Sequence, residues 1–291
     1  MRIDEILTSG KISLSFEVFP PKNDAGLESV RGATEKIASL KPSYVSVTYG
    51  AGGNGSRYTL DIAEGIERRT GVPTLVHLTC IGSDKNTVRE RLCEIKSKGF
   101  SNILALRGDI PQGAQASDVL RDFTHASDLV REIKTTYPDF CIGAACYPEI
   151  HPESKNSRED IANLKFKVDC GVGFLTTQMF FDNNLLYNFL YRIREAGISV
   201  PVVAGIMPIT NAKQIERAIK LSGSFMPGRF KSLVDRFGND PLAMKQAGIA
   251  YATDQIIDLF ANGVNNVHVY TMNSPDVAER IMASLSDIIG K

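Results

Sequence analysis

The chain has 291 residues, 43% of them hydrophobic, and its 33 basic and 33 acidic side chains cancel to a formal net charge of zero. That balance gives no pull toward polyanions and excludes a nucleic-acid partner, while no apolar run approaches the ~18 residues of a membrane span. The first residues, Met1 to Ile6, hold no apolar signal core, and the five cysteines include no Cys-x-x-Cys pair, so a cytoplasmic protein with reduced thiols and no bound metal is expected.

The first predicted element is a strand in Ser13-Leu14-Ser15-Phe16-Glu17-Val18-Phe19-Pro20-Pro21-Lys22. Leu14, Phe16 and Val18 alternate with Ser13, Ser15 and Glu17, so one face is apolar and the other polar. Helix 26–40 and strand 43–49 follow, then helix 58–69 with strand 74–79 and helix 85–98 with strand 102–106. Next come helix 117–136 with strand 141–147, helix 157–170 with strand 174–178, and helix 183–196 with strand 200–206. A longer helical region, 211–262, is interrupted near 223–229 and 238–241, and strand 266–271 and helix 275–288 close the series. Length alone allows one domain or two. Eight βα units in sequence, without a linker or a shift in composition, predict an α/β fold: a single (βα)8 TIM barrel over 1–291, with 211–262 as an extra helical segment.

Barrel chemistry sits at the carboxyl ends of the strands. Those ends carry Glu17; Thr48 and Tyr49; His77 to Thr79; Arg107, Gly108 and Asp109; Tyr147 and His151; Thr177 and Gln178; Met207; and Tyr270, Thr271 and Asn273. Polar and aromatic groups therefore gather at one mouth, which suits a large ligand. Glu17 is the sharpest of them. Desolvation by Phe16, Phe19 and the Pro20-Pro21 pair should raise its pKa toward the range of a general acid, and a buried ion pair is the alternative.

Gly50-Ala51-Gly52-Gly53-Asn54-Gly55 satisfies G-x-G-x-x-G, but the following strand ends His77-Leu78-Thr79-Cys80 without the acid that a dinucleotide fold places on the ribose. A glycine-rich loop at the mouth is the better account. In Leu106-Arg107-Gly108-Asp109 the two charges could pair with each other. Alternatively Arg107 meets a phosphate or carbonyl and Asp109 a hydrogen-bonding heterocycle, with Gly108 admitting a flat ring. Asp160, Asn163 and Lys167 share a helix face, which reads either as a solvated stripe or as a site for ribose and phosphates.

Taken in order, F-E-V-F-P-P-K (16–22), V-T-Y-G-A-G-G (47–53), H-L-T-C (77–80), L-R-G-D (106–109), Y-P-E-I-H-P (147–152), Q-M-F-F-D (178–182) and V-Y-T-M-N (269–273) resemble the methylenetetrahydrofolate reductase family. The resemblance implies an FAD enzyme that passes a hydride from NADH or NADPH to 5,10-methylenetetrahydrofolate, with Glu17 protonating N10 and Asp109 beside the flavin. It further implies FAD contacts from Thr48, Tyr49, Ala51, His77, Arg107, Gly108, Asp109, Tyr147, His151, Asp160, Asn163 and Lys167. Substrate contacts would come from Glu17, Asp109, Gln178 and Gln214. Ser274 and Ala218 stand where family members carry an arginine and a stacking aromatic. A homo-oligomer is expected, and the electrons could instead arrive through a partner subunit. The competing readings are a folate-binding or electron-transfer subunit and another FAD-bearing barrel of the proline dehydrogenase kind.

Overall fold

Alternation along the first strand decides which side of the sheet is which. In the computed structural model, which describes residues 1–21, 23–49, 55–110, 113–115 and 119–290, β1 (Ser13–Val18) buries Leu14, Phe16 and Val18 in the largest apolar cluster. Its serines and Glu17 therefore turn to the opposite side, the barrel interior. The same rule runs around β2 (Val45–Val47), β3 (Thr74–Thr79), β4 (Asn102–Leu106), β5 (Cys141–Cys146), β6 (Phe174–Thr177), β7 (Val202–Ile206) and β8 (Asn266–Tyr270). These eight strands pair in parallel, each with the next, and β8 closes on β1. β1 lies with Glu17 level with Ser46 on one side and Tyr270 on the other. The predicted α/β barrel is the observed fold.

A short α1 (Ile3–Leu7) lies at the amino ends of the strands, and the other helices cover the outside: α2 (Leu27–Ser39), α3 (Gly55–Thr70), α4 (Lys85–Ser97), α5 (Ala126–Thr136), α6 (Ser157–Asp169), α7 (Asn183–Glu195), α8 (Ala212–Ser222), α9 (Gly228–Phe237), α10 (Pro241–Ala261) and α11 (Pro275–Ile289). Several start on side-chain caps, such as Asp84 for α4, Asn156 for α6 and Asp240 for α10, each accepting from a first-turn N–H. One expected boundary is corrected. Residues 120–125 carry no helix, and α5 begins at Ala126, because Asp128 accepts from the N–H groups of Thr124 and His125 and fixes the helix start there. No helix of the described residues is long and apolar enough to cross a membrane.

Two smaller apolar clusters position the site. At the amino ends of the strands, Ile3 and Leu7 from α1 insert among Tyr44, Leu75, Leu104, Cys141, Phe174 and Val203 and stopper the barrel floor. Asn102, 2% exposed, ties this stopper down: it accepts from the Ile3 N–H at 2.9 Å and donates to the carbonyls of Met1 and Thr74, both at 3.2 Å. Asn102→Ala leaves a buried N–H unpaired, and a loss of ~2 kcal/mol is expected, read as a fall of about 4–8 °C in the thermal midpoint. An unchanged midpoint would show that the floor is held elsewhere. The other cluster lies beneath α8 to α10, where Phe181 stacks on Phe230 at 5.0 Å and Tyr251 donates to the Phe181 carbonyl at 2.6 Å. There α10 approaches the chain after β7 so closely that a Cβ on Gly248 would lie 1.7 Å from the Ile209 carbonyl oxygen.

Candidate active site

Inside the barrel, the inward residues of β1, β2, β3 and β8 form one polar layer. Glu17, with its side chain 21% exposed, stands at the layer's open side. Its Oε2 lies 3.8 Å from His77 Nε2 and 3.8 Å from His268 Nε2. The surroundings differ from the apolar ones expected, because Phe16 and Val18 face the helices while two imidazoles share the interior with the carboxyl. Each ring is pinned by a serine of a neighbouring strand: Ser46 Oγ sits 2.5 Å from His77 Nε2, and Ser15 Oγ 2.8 Å from His268 Nδ1. Burial pushes His77 down to about 4, against the opposing pull of Glu17, so this ring is neutral at physiological pH. Tyr44 stacks on His268 at 6.0 Å, and Tyr270 meets it edge-on at 5.3 Å. Burial raises both phenols, Tyr270 well above its ordinary value.

The end of β8 locks the end of β1. Thr271 Oγ1 donates to the Glu17 carbonyl at 2.7 Å, and the Asn273 side chain accepts from the Phe19 N–H and donates to the Phe19 carbonyl. Asn273 reaches this position with a left-handed backbone, φ 54°, which asparagine tolerates better than most residues. Glu17 is thereby held on rigid strands rather than on a loop.

Around the mouth, Arg107, Gly108, Asp109, Tyr147, His151 and Gln178 lie at or just beyond the ends of β4, β5 and β6. Arg107 pairs with Glu153, not Asp109, through two charge-assisted hydrogen bonds of 2.7 and 2.5 Å. Glu153 raises the guanidinium's pKa further. Asp109 is exposed beside it. Gly108 has φ 89°, and a Cβ there would lie 2.6 Å from Ile81, so glycine is already required by contact within the chain. Tyr147 and His151 meet edge to face at 4.6 Å. Burial raises the former and lowers the latter.

The helical stripe braces this loop. Asp160 accepts from Ser154 Oγ and the His151 N–H, and Lys167 Nζ donates to the Ala145 carbonyl at 2.6 Å, its pKa lowered by burial. Asn163 is exposed on the same helix. Gln178 Oε1 accepts from the Met179 N–H at 3.0 Å. Gln214 Oε1 caps α8, taking the N–H groups of Thr210 and Asn211. Thr48 and Tyr49 are half-buried after β2, with Arg91 over the Tyr49 ring at 5.4 Å. Ala51, with the rest of 50–54, lies outside the described residues.

Sequence reasoning passed over His268, Ser15 and Ser46 as members of the site. The signal was available, since Asn266, His268 and Tyr270 alternate with Val267 and Val269 as the residues of β1 do.

The family model for methylenetetrahydrofolate reductase matches residues 2–286. A 5,10-methylenetetrahydrofolate reductase of Pectobacterium carotovorum is 37% identical over 276 residues, 95% of this chain and 91% of that one. The Escherichia coli K12 enzyme of the same name is 36% identical over the same shares. A probable NADH-type reductase of Oryza sativa is 35% identical over 98% of this chain, which spans half of the rice protein. Among solved structures, a Clostridium thermocellum protein that binds two copies of 5-methyl-5,6,7,8-tetrahydrofolic acid aligns over 100% of this chain and 99% of its own, with a TM-score of 0.67. At 15% identity that likeness concerns the fold alone.

Proposed function

This chain belongs to the methylenetetrahydrofolate reductase family, and we propose that it reduces 5,10-methylenetetrahydrofolate to 5-methyltetrahydrofolate with FAD as cofactor and Glu17 as the acid. The observation that carries the reading is the Glu17 carboxyl, fixed at the mouth end of β1 against His77 and His268. Ring opening at the folate's methylene bridge needs a proton on N10, a weakly basic aniline-type nitrogen, and Glu17 is the carboxyl on the inward face of β1 that can deliver it. With N10 protonated, its bond to the bridging carbon breaks and leaves an iminium ion at N5, ready to accept hydride.

The residues at the mouth fit FAD. Glu153 engages Arg107 through the paired geometry that a phosphate group also satisfies. Lys167 offers a second cation, Asp160 a carboxylate for ribose hydroxyls, and Asp109 an acceptor for a ring N–H. When bound, FAD would supply two-electron carriage between a nicotinamide and the folate. NADH, NADPH and a partner subunit remain three donors that one experiment separates. The purified protein is expected to be yellow, to bleach on anaerobic addition of its donor, and to regain colour with 5,10-methylenetetrahydrofolate. A colourless protein that takes up no added FAD would remove the cofactor from this reading.

Asp160→Ala combined with Lys167→Ala is expected to weaken FAD binding by ~10–100-fold, the worth of one or two charge-assisted contacts. Titrating flavin fluorescence measures it. Unchanged affinity would show that the stripe only braces the loop.

Asp109→Asn removes a negative charge next to the flavin position and is expected to raise the flavin's reduction potential, because an anion there disfavours the electron-rich state. Equal potentials by dye equilibration would place Asp109 away from the ring.

A further inference from the structure

Both imidazoles approach one and the same oxygen of Glu17. For each imidazole the shortest approach to the Glu17 carboxyl is at Oε2, from His77 Nε2 and from His268 Nε2, both at 3.8 Å. We propose that His77 is a positioning residue for Glu17: with His268 it cradles Oε2 and so assigns the transferable proton to Oε1, an inference that rests on the acid role given to Glu17 above. The resemblance puts His77 among the flavin contacts. The residue, however, is only 5% exposed, and its ring sits inside the strand layer, in contact with Ser46.

The hydrogen-bond inventory supports the assignment. A neutral imidazole has one N–H. Ser15 Oγ also lies 3.1 Å from the Val267 carbonyl; when it gives its proton to His268 Nδ1 instead, His268 turns Nε2–H toward Oε2, and when His77 carries its proton on Nε2, the same N–H faces Ser46 Oγ and Oε2 together. Two N–H groups facing one carboxyl oxygen favour the carbonyl form of that oxygen, and the acid's hydroxyl then falls on the other. Burial keeps His77 neutral, so it orients the carboxyl without forming an ion pair with it. Tyr44 and Tyr270 also feel the Glu17 charge, and burial keeps both protonated. Among the described residues no lysine or arginine forms an ion pair with Glu17.

Two substitutions at position 77 separate the roles. His77→Leu fills similar volume without an N–H, whereas His77→Gln keeps a donor. The Leu variant is expected to slow reoxidation of the reduced flavin by 5,10-methylenetetrahydrofolate ~10–100-fold in kcat, within the contribution of a well-placed proton donor, with KM for the folate and affinity for FAD each within about twofold of wild type. The Gln variant should recover most of that rate. A packing role alone would be served equally well by Leu and Gln, and a flavin contact would lower FAD affinity in both; either result overturns the proposal. Infrared spectroscopy reads the cradle without any reaction: the Glu17 carboxyl stretch, assigned by its loss in Glu17→Gln, should move in His77→Leu. Ser46→Ala should move it in the same direction, which covers the case of a poorly folded Leu variant. A band that stays in place in both variants rejects the cradle. A band that moves in a protein that never reduces the folate rejects the proposed reaction and leaves the cradle standing.

Discussion

Glu17→Gln is expected to slow flavin reoxidation by 5,10-methylenetetrahydrofolate by ~10²–10⁴-fold, the usual contribution of a general acid, and to leave reduction by the nicotinamide donor within about tenfold of wild type. The two half-reactions differ in what they ask of the protein. Hydride transfer from nicotinamide needs approach and stacking but no proton delivered to the acceptor, whereas opening the folate ring needs one at N10. Glutamine keeps the shape of the side chain, and its amide still fits between His77 and His268, so the strand end tied by Thr271 and Asn273 should remain in place. Stopped-flow absorbance separates the steps, and an unaltered thermal midpoint would confirm an intact fold. Reoxidation at the wild-type rate would make Glu17 a structural carboxyl.

Among the described glycines, Gly248→Ala is expected to be the most damaging addition of a single methyl group. The added Cβ would meet the Ile209 carbonyl oxygen at 1.7 Å, far inside van der Waals contact, and the obstacle is backbone rather than the end of a flexible side chain. Relief requires α10 to move away from the connection between β7 and α8. That movement would open the cluster of Phe181, Phe230, Met244 and Tyr251. Overpacking of this kind costs about 3 kcal/mol or more, which corresponds to a midpoint lowered by about 6–12 °C. Because Gln214 caps α8 at the same junction, the loss should extend to whatever that helix start contributes to ligand binding. Calorimetry of the variant showing a wild-type midpoint would mean that α10 has slack not evident in its packing.

The barrel itself was legible because its signals are local and repeat. β3 and β4 occupy the predicted residues without adjustment, and the interruptions near Gly223 and Gly238 do divide 211–262 into α8, α9 and α10. The predicted strand 43–49 is longer than the observed β2, Val45–Val47. The α1 stopper was not anticipated. Five residues give too little periodicity to read, and its value comes from contacts with Leu75, Leu104 and Phe174, which are distant in sequence. The start of α5 was missed because a cap by Asp128 competes with a helix-compatible composition further upstream. At the site, Glu17 could be found from alternation, but its partners could not be paired with it. Ser46, His77 and His268 meet it only through the parallel register and closure of the sheet, which no stretch of sequence displays.

The α1 stopper makes the barrel a room with a single door. With Ile3 and Leu7 wedged into the floor beneath Tyr44 and Phe174, nothing enters from below, and whatever reaches Glu17 comes and goes through the mouth. Two large reactants that use the same opening are then expected to visit in turn. Initial-rate plots against one reactant at fixed levels of the other would then run as parallel lines, and an excess of either would obstruct its counterpart.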